Sequence, residues 1–148
     1  MSDDKPRRKM AVILASDMVG FSKAMGLDET GTLKKLKETR AFIDKSIASH
    51  HGRIFNTAGD SVIAEFSSPV DAVSAAIEFQ KFLKQRNSVN KVENQAHFRA
   101  GINLGDVVIQ GDNLMGEGIN IAARLEAIGI SGNVKGWFKN FTSTISTS

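Results

Sequence analysis

Apolar and polar residues alternate along the chain in blocks that predict its first strand and its first helix. Residues 10–16 (MAVILAS) form a nearly continuous apolar run rich in strand-forming residues, which indicates a strand buried on both faces. From Asp28 to His51, apolar residues recur at helical spacing between charged residues, at Leu33, Leu36, Ile43 and Ile47. We therefore expect a long amphipathic helix with Gly52 as its C-terminal stop.

A tight hairpin is predicted directly after this helix. The segments RIFNT at 53–57 and SVIAEF at 61–66 have the composition of strands. The intervening Ala58, Gly59 and Asp60 are typical of a turn, so Asp60 is placed at the tip of the hairpin.

A second helix is expected after the hairpin, ending near Arg86. Its first turn is indicated by an N-cap residue, a proline and an acidic residue, which are Ser68, Pro69 and Asp71. Its predicted apolar face consists of Val73, Ile77 and Leu83.

The following polar segment, 87–95, leads into a second predicted hairpin. HFRAGIN at 97–103 and DVVIQ at 106–110 both have strand composition. Leu104 and Gly105 lie between them, and the glycine indicates a turn at this point.

A loop and a short helix are predicted near the end of the domain. The loop is GDNLMGEG at 111–118, and the helix is INIAARLEAI at 119–128, which Gly129 would stop. The residues of this helix that we expect to pack inward are Ile121, Ala122, Leu125 and Ile128.

The order of these elements predicts the fold class. A strand, a helix, a hairpin, a helix, a hairpin and a helix indicate an α+β fold, with a ferredoxin-like, antiparallel-rich sheet and helices packed on one face. We assign residues 1–9 to a solvated tail, 10–130 to the domain and 131–148 to an atypical tail. The last part, TSTISTS at 142–148, is not expected to pack.

The amino-acid composition limits the ligands and metal sites to be expected. A chain of 148 residues with 41% hydrophobic content suits one domain, and a net charge of +3 without a basic cluster does not argue for nucleic acid. Without cysteine and with only three histidines, a closed zinc site is not expected, so a metal would need oxygen ligands. The early apolar run at 11–15 is too short for a signal peptide or a membrane span, which favours the cytoplasm.

Two aspartates are the first candidates for chemistry. Asp17 ends the first strand and Asp60 lies at the hairpin tip, so the two carboxylates converge if these elements are neighbours. Two carboxylates are enough for a Mg²⁺ site that substrate phosphates complete. Each of these aspartates, taken alone, is more often a turn residue. The segment SDMVGFS at 16–22, with Gly20 and Phe21, changes this estimate, because the glycine lets the backbone approach a ligand closely and a helix begins further on. Such a segment suits the binding of phosphate oxygens.

The short helix supplies a second candidate pair. Asn120 and Arg124 are four residues apart and point from the same helix face. The asparagine can donate to a sugar oxygen, and the arginine suits a phosphoryl group that gains charge in a transition state. Taken alone, the pair would be read as a solvated helix face.

Four segments in this order resemble the catalytic domain of class III adenylate and guanylate cyclases: SDMVGFSKAM, GRIFNTAGDSVIAEF, FRAGINLGDVVIQGD and GINIAARLEAI. The resemblance implies that Asp17 and Asp60 bind two Mg²⁺ or Mn²⁺ ions. It implies that Asn120 contacts the ribose and that Arg124 stabilises the transition state. It further implies that ATP or GTP becomes a 3′,5′-cyclic nucleotide and pyrophosphate, in a homodimer with its sites at the interface.

The residues for base selection depart from the family pattern. Adenine-selective members carry a lysine and an aspartate where this chain has Asn56 and Asn113. An amide can donate or accept a hydrogen bond, so the choice between adenine and guanine stays open. The neighbouring Asp112 can replace the family aspartate if the loop shifts slightly, although an acid after Gly111 is also ordinary turn chemistry.

The C-terminal segment departs further from the family pattern. Family members continue with additional strands and a phosphate-binding lysine, whereas SGNVKGWFKNFTSTISTS follows here, with Lys135 and Lys139 as weak substitutes. We expect a chain shortened at its C-terminus, with an uncovered sheet edge. The alternative function is therefore a catalytically inactive cyclase-like module that binds a nucleotide or a partner domain. A diguanylate cyclase is disfavoured because the chain lacks a GGDEF-like hairpin.

Overall fold

A sheet of seven strands forms the centre of the computed structural model, which describes residues 7–127 and the strands at 134–138 and 141–145. The strands are β1 (Arg7–Met18), β2 (Arg53–Ala58), β3 (Ser61–Phe66), β4 (Phe98–Gln110), β5 (Asn113–Met115), β6 (Val134–Phe138) and β7 (Phe141–Ile145). The helices are α1 (Phe21–Leu27), α2 (Glu29–Ser49), α3 (Pro69–Ser88) and α4 (Glu117–Ala127), with a 3₁₀ turn at Val92–Asn94.

The strand order is β2-β3-β1-β4-β6-β7, and β5 pairs with β4. The first four strands pair antiparallel, with β1 between β3 and β4. This arrangement, with α2 and α3 covering one face, confirms the predicted ferredoxin-like α+β fold.

The two faces of β1 bury different helices, because successive side chains of a strand point to opposite sides. Val12 and Leu14 belong to the core beneath α2 and α3. Ile13 packs on the other side, in a smaller core with Ala122 of α4. The expectation that all helices lie on one face is therefore wrong for α4. Gly101 allows this packing, since a Cβ atom there would lie 2.6 Å from the carbonyl oxygen of Ala122.

The predicted hairpin at Leu104 and Gly105 is wrong, because β4 runs through both residues without a turn. They pair with Val12 and Ala11 of β1, and the pairing extends from Met18↔Phe98 to Arg7↔Ile109. Uninterrupted pairing with a long neighbouring strand outweighs the local turn signal of the glycine. The chain turns instead at 111–112, where Gly111 has φ 63°, so part of the predicted loop 111–118 forms β5.

The long predicted helix starts at a cap and ends at Ser49, two residues before its predicted end at His51. Asp28 separates α1 from α2, and its side chain accepts a hydrogen bond of 3.0 Å from the Gly31 N–H. His51, not Gly52, adopts the left-handed conformation after α2, with φ 66°. Gly52 is needed for space, because a Cβ there would lie 2.6 Å from the Phe66 ring.

Small and polar residues fill part of the helix faces where larger apolar residues were expected. On α2, Leu33 is 44% exposed, whereas Thr39 and Ser46 are buried. The Ser46 hydroxyl donates a 2.9 Å hydrogen bond to the carbonyl of Ala75 on α3. The buried face of α3 consists mainly of alanines with Phe79 and Leu83, and the predicted Val73 and Ile77 are only half-buried. Close approach of the two helices accounts for this selection of small residues.

Segments predicted as tails contribute strands. Residues 7–9 belong to β1, which continues the pairing with β4 beyond the predicted start at residue 10. Within 131–148, β6 pairs parallel with β4, and β7 pairs antiparallel with β6. The free edge of β4 offers unpaired backbone groups that these strands satisfy. Ile128, Gly129 and Lys139 lie outside the described residues. No helix in the described part of the chain is long and apolar enough to cross a membrane.

Candidate active site

Asp17 and Asp60 lie together at one end of the sheet. Asp17 is the penultimate residue of β1, and Asp60 lies in the turn that joins β2 to β3. Since β1 pairs with β3, with Ser16 opposite Val62, this turn reaches the end of β1. The Oδ2 atom of Asp60 accepts a hydrogen bond of 2.8 Å from the N–H of Met18, the residue that follows Asp17. This bond holds the Asp60 side chain next to the end of β1.

Arg99 donates hydrogen bonds to both carboxylate oxygens of Asp17. Its Nε and Nη2 atoms donate to Asp17 Oδ1 at 3.2 and 3.1 Å, and Nη2 also donates to Oδ2 at 3.1 Å. Arg99 lies on β4 opposite Asp17 of β1, so strand pairing brings the two side chains face to face. The remaining nitrogen, Nη1, donates to the carbonyl of Ala127 at 3.0 Å.

Glu126 is a third acid at this position, and the sequence did not identify it. Its side chain is 10% exposed, and Oε1 lies 3.2 Å from Arg99 Nε. Because that N–H is directed to Asp17, Oε1 is buried without a hydrogen bond. The signal available in the sequence is its place on α4, four residues after the buried Ala122 and therefore on the inward face.

Burial raises the pKa of Glu126 to about 8, and the neighbouring Asp17 carboxylate reinforces the shift. The Arg99 charge opposes the shift, while the charge of Asp60 adds to it. Asp17 and Glu126 thus share one guanidinium, and the charge of Asp60 acts on the same cluster. Such a site has an excess of acid that an additional cation can neutralise.

The acids offer only oxygen donors, the kind that Mg²⁺ and Mn²⁺ prefer. Within the described residues, no group of three or more His, Cys, Asp or Glu side chains is arranged to hold a metal ion. The pair Asp17 and Asp60 therefore fits an ion that takes one or two carboxylates and completes its shell with substrate phosphates and water.

Asn120 and Arg124 lie on the opposite side of α4 from Glu126 and are exposed. Arg124 Nη1 lies 3.4 Å from Glu117 Oε1, and both side chains are more than 60% exposed. Such a pair is weak and leaves the arginine free to move. No hydrogen bond or ion pair in the described part of the chain joins Asn120 or Arg124 to Asp17 or Asp60. Within one chain, the pair Asn120 and Arg124 is therefore not joined to the pair Asp17 and Asp60.

Val19 and Gly20 form the turn after β1, and Phe21 begins α1. Gly20 is the N-cap of α1 with φ 69°, a conformation that glycine adopts without strain. The Phe21 ring is half-buried against the main core and lies 3.8 Å from where a Cβ of Gly59 would be. The start of α1 is therefore packed against the turn that carries Asp60.

Asn56, Asp112 and Asn113 are exposed residues on two neighbouring elements. Asn56 follows a bulge in β2, and the carbonyl of Asp112 accepts a 2.7 Å hydrogen bond from Arg53 Nη1 at the start of the same strand. The Asn113 Oδ1 atom accepts the Leu114 N–H at 3.0 Å. Arg53 therefore holds the turn after β4 against β2, and the two amides have donor groups left for a ligand.

Residues 4–136 match the family model described as adenylate and guanylate cyclase catalytic domain. A protein of Rhizobium meliloti (strain 1021) named putative adenylate cyclase 3 is 36% identical over 135 residues. That match covers 90% of this chain and 23% of the relative, so the chain spans about a quarter of the relative's length.

Solved structures show the same fold. A crystal structure of an adenylate/guanylate cyclase/hydrolase from Silicibacter pomeroyi superposes with a TM-score of 0.82 at 36% identity, covering 89% of this chain and 77% of that one. The adenylyl cyclase CyaB from P. aeruginosa gives a TM-score of 0.76 at 24% identity, covering 89% and 78%.

Proposed function

This chain belongs to the adenylate and guanylate cyclase catalytic domain family, and on that premise we propose that it converts ATP to 3′,5′-cyclic AMP and pyrophosphate. The observation that carries the proposal is the convergence of Asp17 and Asp60, tied through the Met18 N–H at the end of β1. The name of the Rhizobium relative favours ATP over GTP, which remains the second substrate to test.

The reaction needs one bond to form and one to break. The ribose 3′-oxygen attacks the α-phosphorus, the bond from that phosphorus to the bridging oxygen breaks, and pyrophosphate leaves while the 3′-hydroxyl proton passes to solvent. Two Mg²⁺ or Mn²⁺ ions held by Asp17 and Asp60 would supply Lewis-acid activation of the 3′-hydroxyl and charge neutralisation on the phosphates. Gly20 and Phe21 shape the turn where the triphosphate would lie, with free backbone N–H groups at the start of α1.

The second half-site would come from another copy of the chain. Asn120 and Arg124 point away from the acids of their own chain, and their exposure leaves them available to a substrate held by a partner. In this arrangement Asn120 orients the ribose and Arg124 donates to the phosphoryl oxygens as their charge grows. We therefore propose a homodimer with its sites at the interface.

The base would bind between β2 and the turn after β4. Asn56 and Asn113 present amide groups there, and Asp112 adds a carboxylate beside them. A carboxylate that accepts from the adenine amino group favours ATP, whereas amides alone discriminate weakly. Asp112→Asn is expected to reduce the preference for ATP over GTP, measured as the ratio of kcat/KM values.

The direct test is incubation of the purified chain with ATP or GTP and Mn²⁺, followed by chromatography for cyclic nucleotide and pyrophosphate. Formation of both products in equal amounts is expected with ATP. If neither nucleotide gives product, the proposed activity is wrong for this chain, and nucleotide binding without turnover becomes the better account.

Mixing two inactive variants tests the shared site. Asp17→Ala and Arg124→Ala chains are each expected to be inactive, because every site of a homodimer then lacks one half. In a mixed dimer one of the two sites contains neither change, so activity should return to about a quarter of the wild-type value for random mixing. Absence of any recovery, with dimers present by sedimentation, would count against interface sites.

A further inference from the structure

Arg99 lies between two acids and can neutralise only one of them at a time. Its Nε and Nη2 atoms are 3.1–3.2 Å from the oxygens of Asp17, and Nε is also 3.2 Å from Glu126 Oε1. The hydrogen bonds of Nε and Nη2 all go to Asp17, and Oε1 of Glu126 is buried without a hydrogen bond.

A divalent cation on Asp17 would compete with Arg99. Both oxygens of the carboxylate already accept from the guanidinium, and a metal ion would bring two positive charges next to a third. Arg99 must therefore give up at least part of this contact before Asp17 acts as a metal ligand.

Glu126 provides a second hydrogen-bond acceptor for the displaced guanidinium of Arg99. Its Oε1 atom lies 3.2 Å from Nε but accepts no hydrogen bond, so a small rotation of the Arg99 side chain exchanges one carboxylate for the other. The bond from Nη1 to the Ala127 carbonyl lies on the same side and anchors the guanidinium during the exchange.

We propose that Arg99 is exchanged from Asp17 to Glu126 when Asp17 takes up a divalent cation, so that Arg99 and Glu126 are positioning residues of the metal site. The inference rests on the proposed function, since it takes Asp17 as a metal ligand. Arg99 keeps Asp17 ordered in the metal-free chain, and Glu126 gives the displaced guanidinium a hydrogen-bond acceptor once the ion is bound.

The test is the affinity of the full chain for Mn²⁺ alone, measured by calorimetry without nucleotide. Arg99→Gln removes the competitor and is expected to raise affinity about two- to five-fold, the range for a partly exposed charged contact. Glu126→Gln replaces the carboxyl acceptor by a neutral amide that accepts more weakly from a guanidinium, and it is expected to lower affinity by a similar factor. In the Arg99→Gln background, Glu126→Gln should change affinity by less than about two-fold, because no displaced arginine needs an acceptor.

A matched control is Arg40→Gln on α2. Arg40 also donates through Nε and Nη2 to one carboxylate, Asp44, but on the opposite face of the sheet, so affinity should not change. Circular dichroism checks folding. If Arg99→Gln does not fold, Arg99→Lys replaces it, with a rise in affinity of the same sign, since a lysine cannot hold both oxygens.

The outcomes separate the two proposals. Unchanged or lower Mn²⁺ affinity in the Arg99 variant overturns the exchange. A loss from Glu126→Gln that persists in the Arg99→Gln background would make Glu126 a metal ligand and also overturn it. If the wild-type chain itself binds no Mn²⁺, the metal site of the proposed function fails, and this inference fails with it.

Discussion

Two glutamates, the half-buried Glu65 and the buried Glu126, have opposite charge environments in this molecule. Glu65 lies between two cations, with Lys9 Nζ 3.1 Å from Oε2 and Arg53 Nε donating to Oε1 at 2.6 Å. Burial alone would raise the pKa of Glu65, but the hydrogen bonds and charges of Lys9 and Arg53 outweigh it and lower the pKa below its ordinary value. Glu126 instead shares one arginine with Asp17 near Asp60, and its pKa is raised to about 8.

The difference lies in the balance of charge. The Glu65 cluster has two cations for one acid and needs no additional partner, so its effect is to join β1, β2 and β3. The Asp17 site has three acids and one cation, an arrangement that costs stability in the folded chain. Under-neutralised acids favour the binding of a divalent cation, and this contrast is the reason for proposing the metal site at Asp17 and not at Glu65.

The largest expected effect comes from Asp17→Asn. We expect cyclase turnover to fall by about 100-fold or more, since removal of one electrostatic catalytic group costs on this order. The melting temperature should not fall, because one of the mutually repelling acids is removed. Product formation and thermal unfolding of the same samples check both parts. Asp106→Asn, which removes an exposed acid paired with Arg8, is the control and should leave turnover unchanged.

Glu65→Gln should have the opposite pattern of effects, with lower stability and unchanged turnover. Loss of a charge that accepts from Arg53 and Lys9 is expected to lower the free energy of unfolding by about 1–2 kcal/mol. Turnover per folded molecule should stay near the wild-type value, because Glu65 belongs to the joint between strands. Urea denaturation measures the first quantity. If Glu65→Gln were as stable as the wild type but inactive, the proposed difference between the Glu65 cluster and the Asp17 site would be wrong.

The pH dependence of stability should have opposite signs at the two glutamates. The pKa of Glu126 is raised from 4.5 to about 8, so the folded chain holds a proton that the unfolded chain has released. The free energy of unfolding therefore falls as pH rises between about 4.5 and 8, and levels off above that range. In chelator, the stability of Glu126→Gln relative to the wild type should increase across this window.

At Glu65 the pKa is lowered below 4.5, so its stabilising contribution is present above this value and is lost as the pH falls through the folded pKa. The loss caused by Glu65→Gln should accordingly shrink on acidification. Equal pH slopes for the two variants would contradict the assignment of opposite charge balance.

Much of the fold was predictable because local patterns agreed with the global structure. The apolar run that became β1, the caps of α3 and the turn at Gly59 and Asp60 each specify one conformation. The turn predicted at Leu104 and Gly105 was wrong because strand pairing with β1, remote in sequence, determines the path of β4. Likewise, β6 and β7 depend on the free edge of β4, which no local pattern reveals.

The candidate site was predictable only in part, for a similar reason. Asp17 and Asp60 stood out because strand ends and turn tips are where acids gather around ligands. Arg99 and Glu126 did not, since a charged residue within a strand or an amphipathic helix is ordinary until its neighbours are known. Their importance arises from packing, as α4 crosses β4 at Gly101 and places Glu126 beside the Arg99–Asp17 pair.

The most direct test of the central claim, that the under-neutralised acids form a divalent-cation site, is the change in melting temperature on addition of Mn²⁺. The wild-type chain and Glu65→Gln should both be stabilised, since a ligand that binds the folded state raises its stability. Asp60→Asn should lose most of this shift. A shift of the same size in Asp60→Asn and the wild type would contradict the account, because the ion would then bind elsewhere.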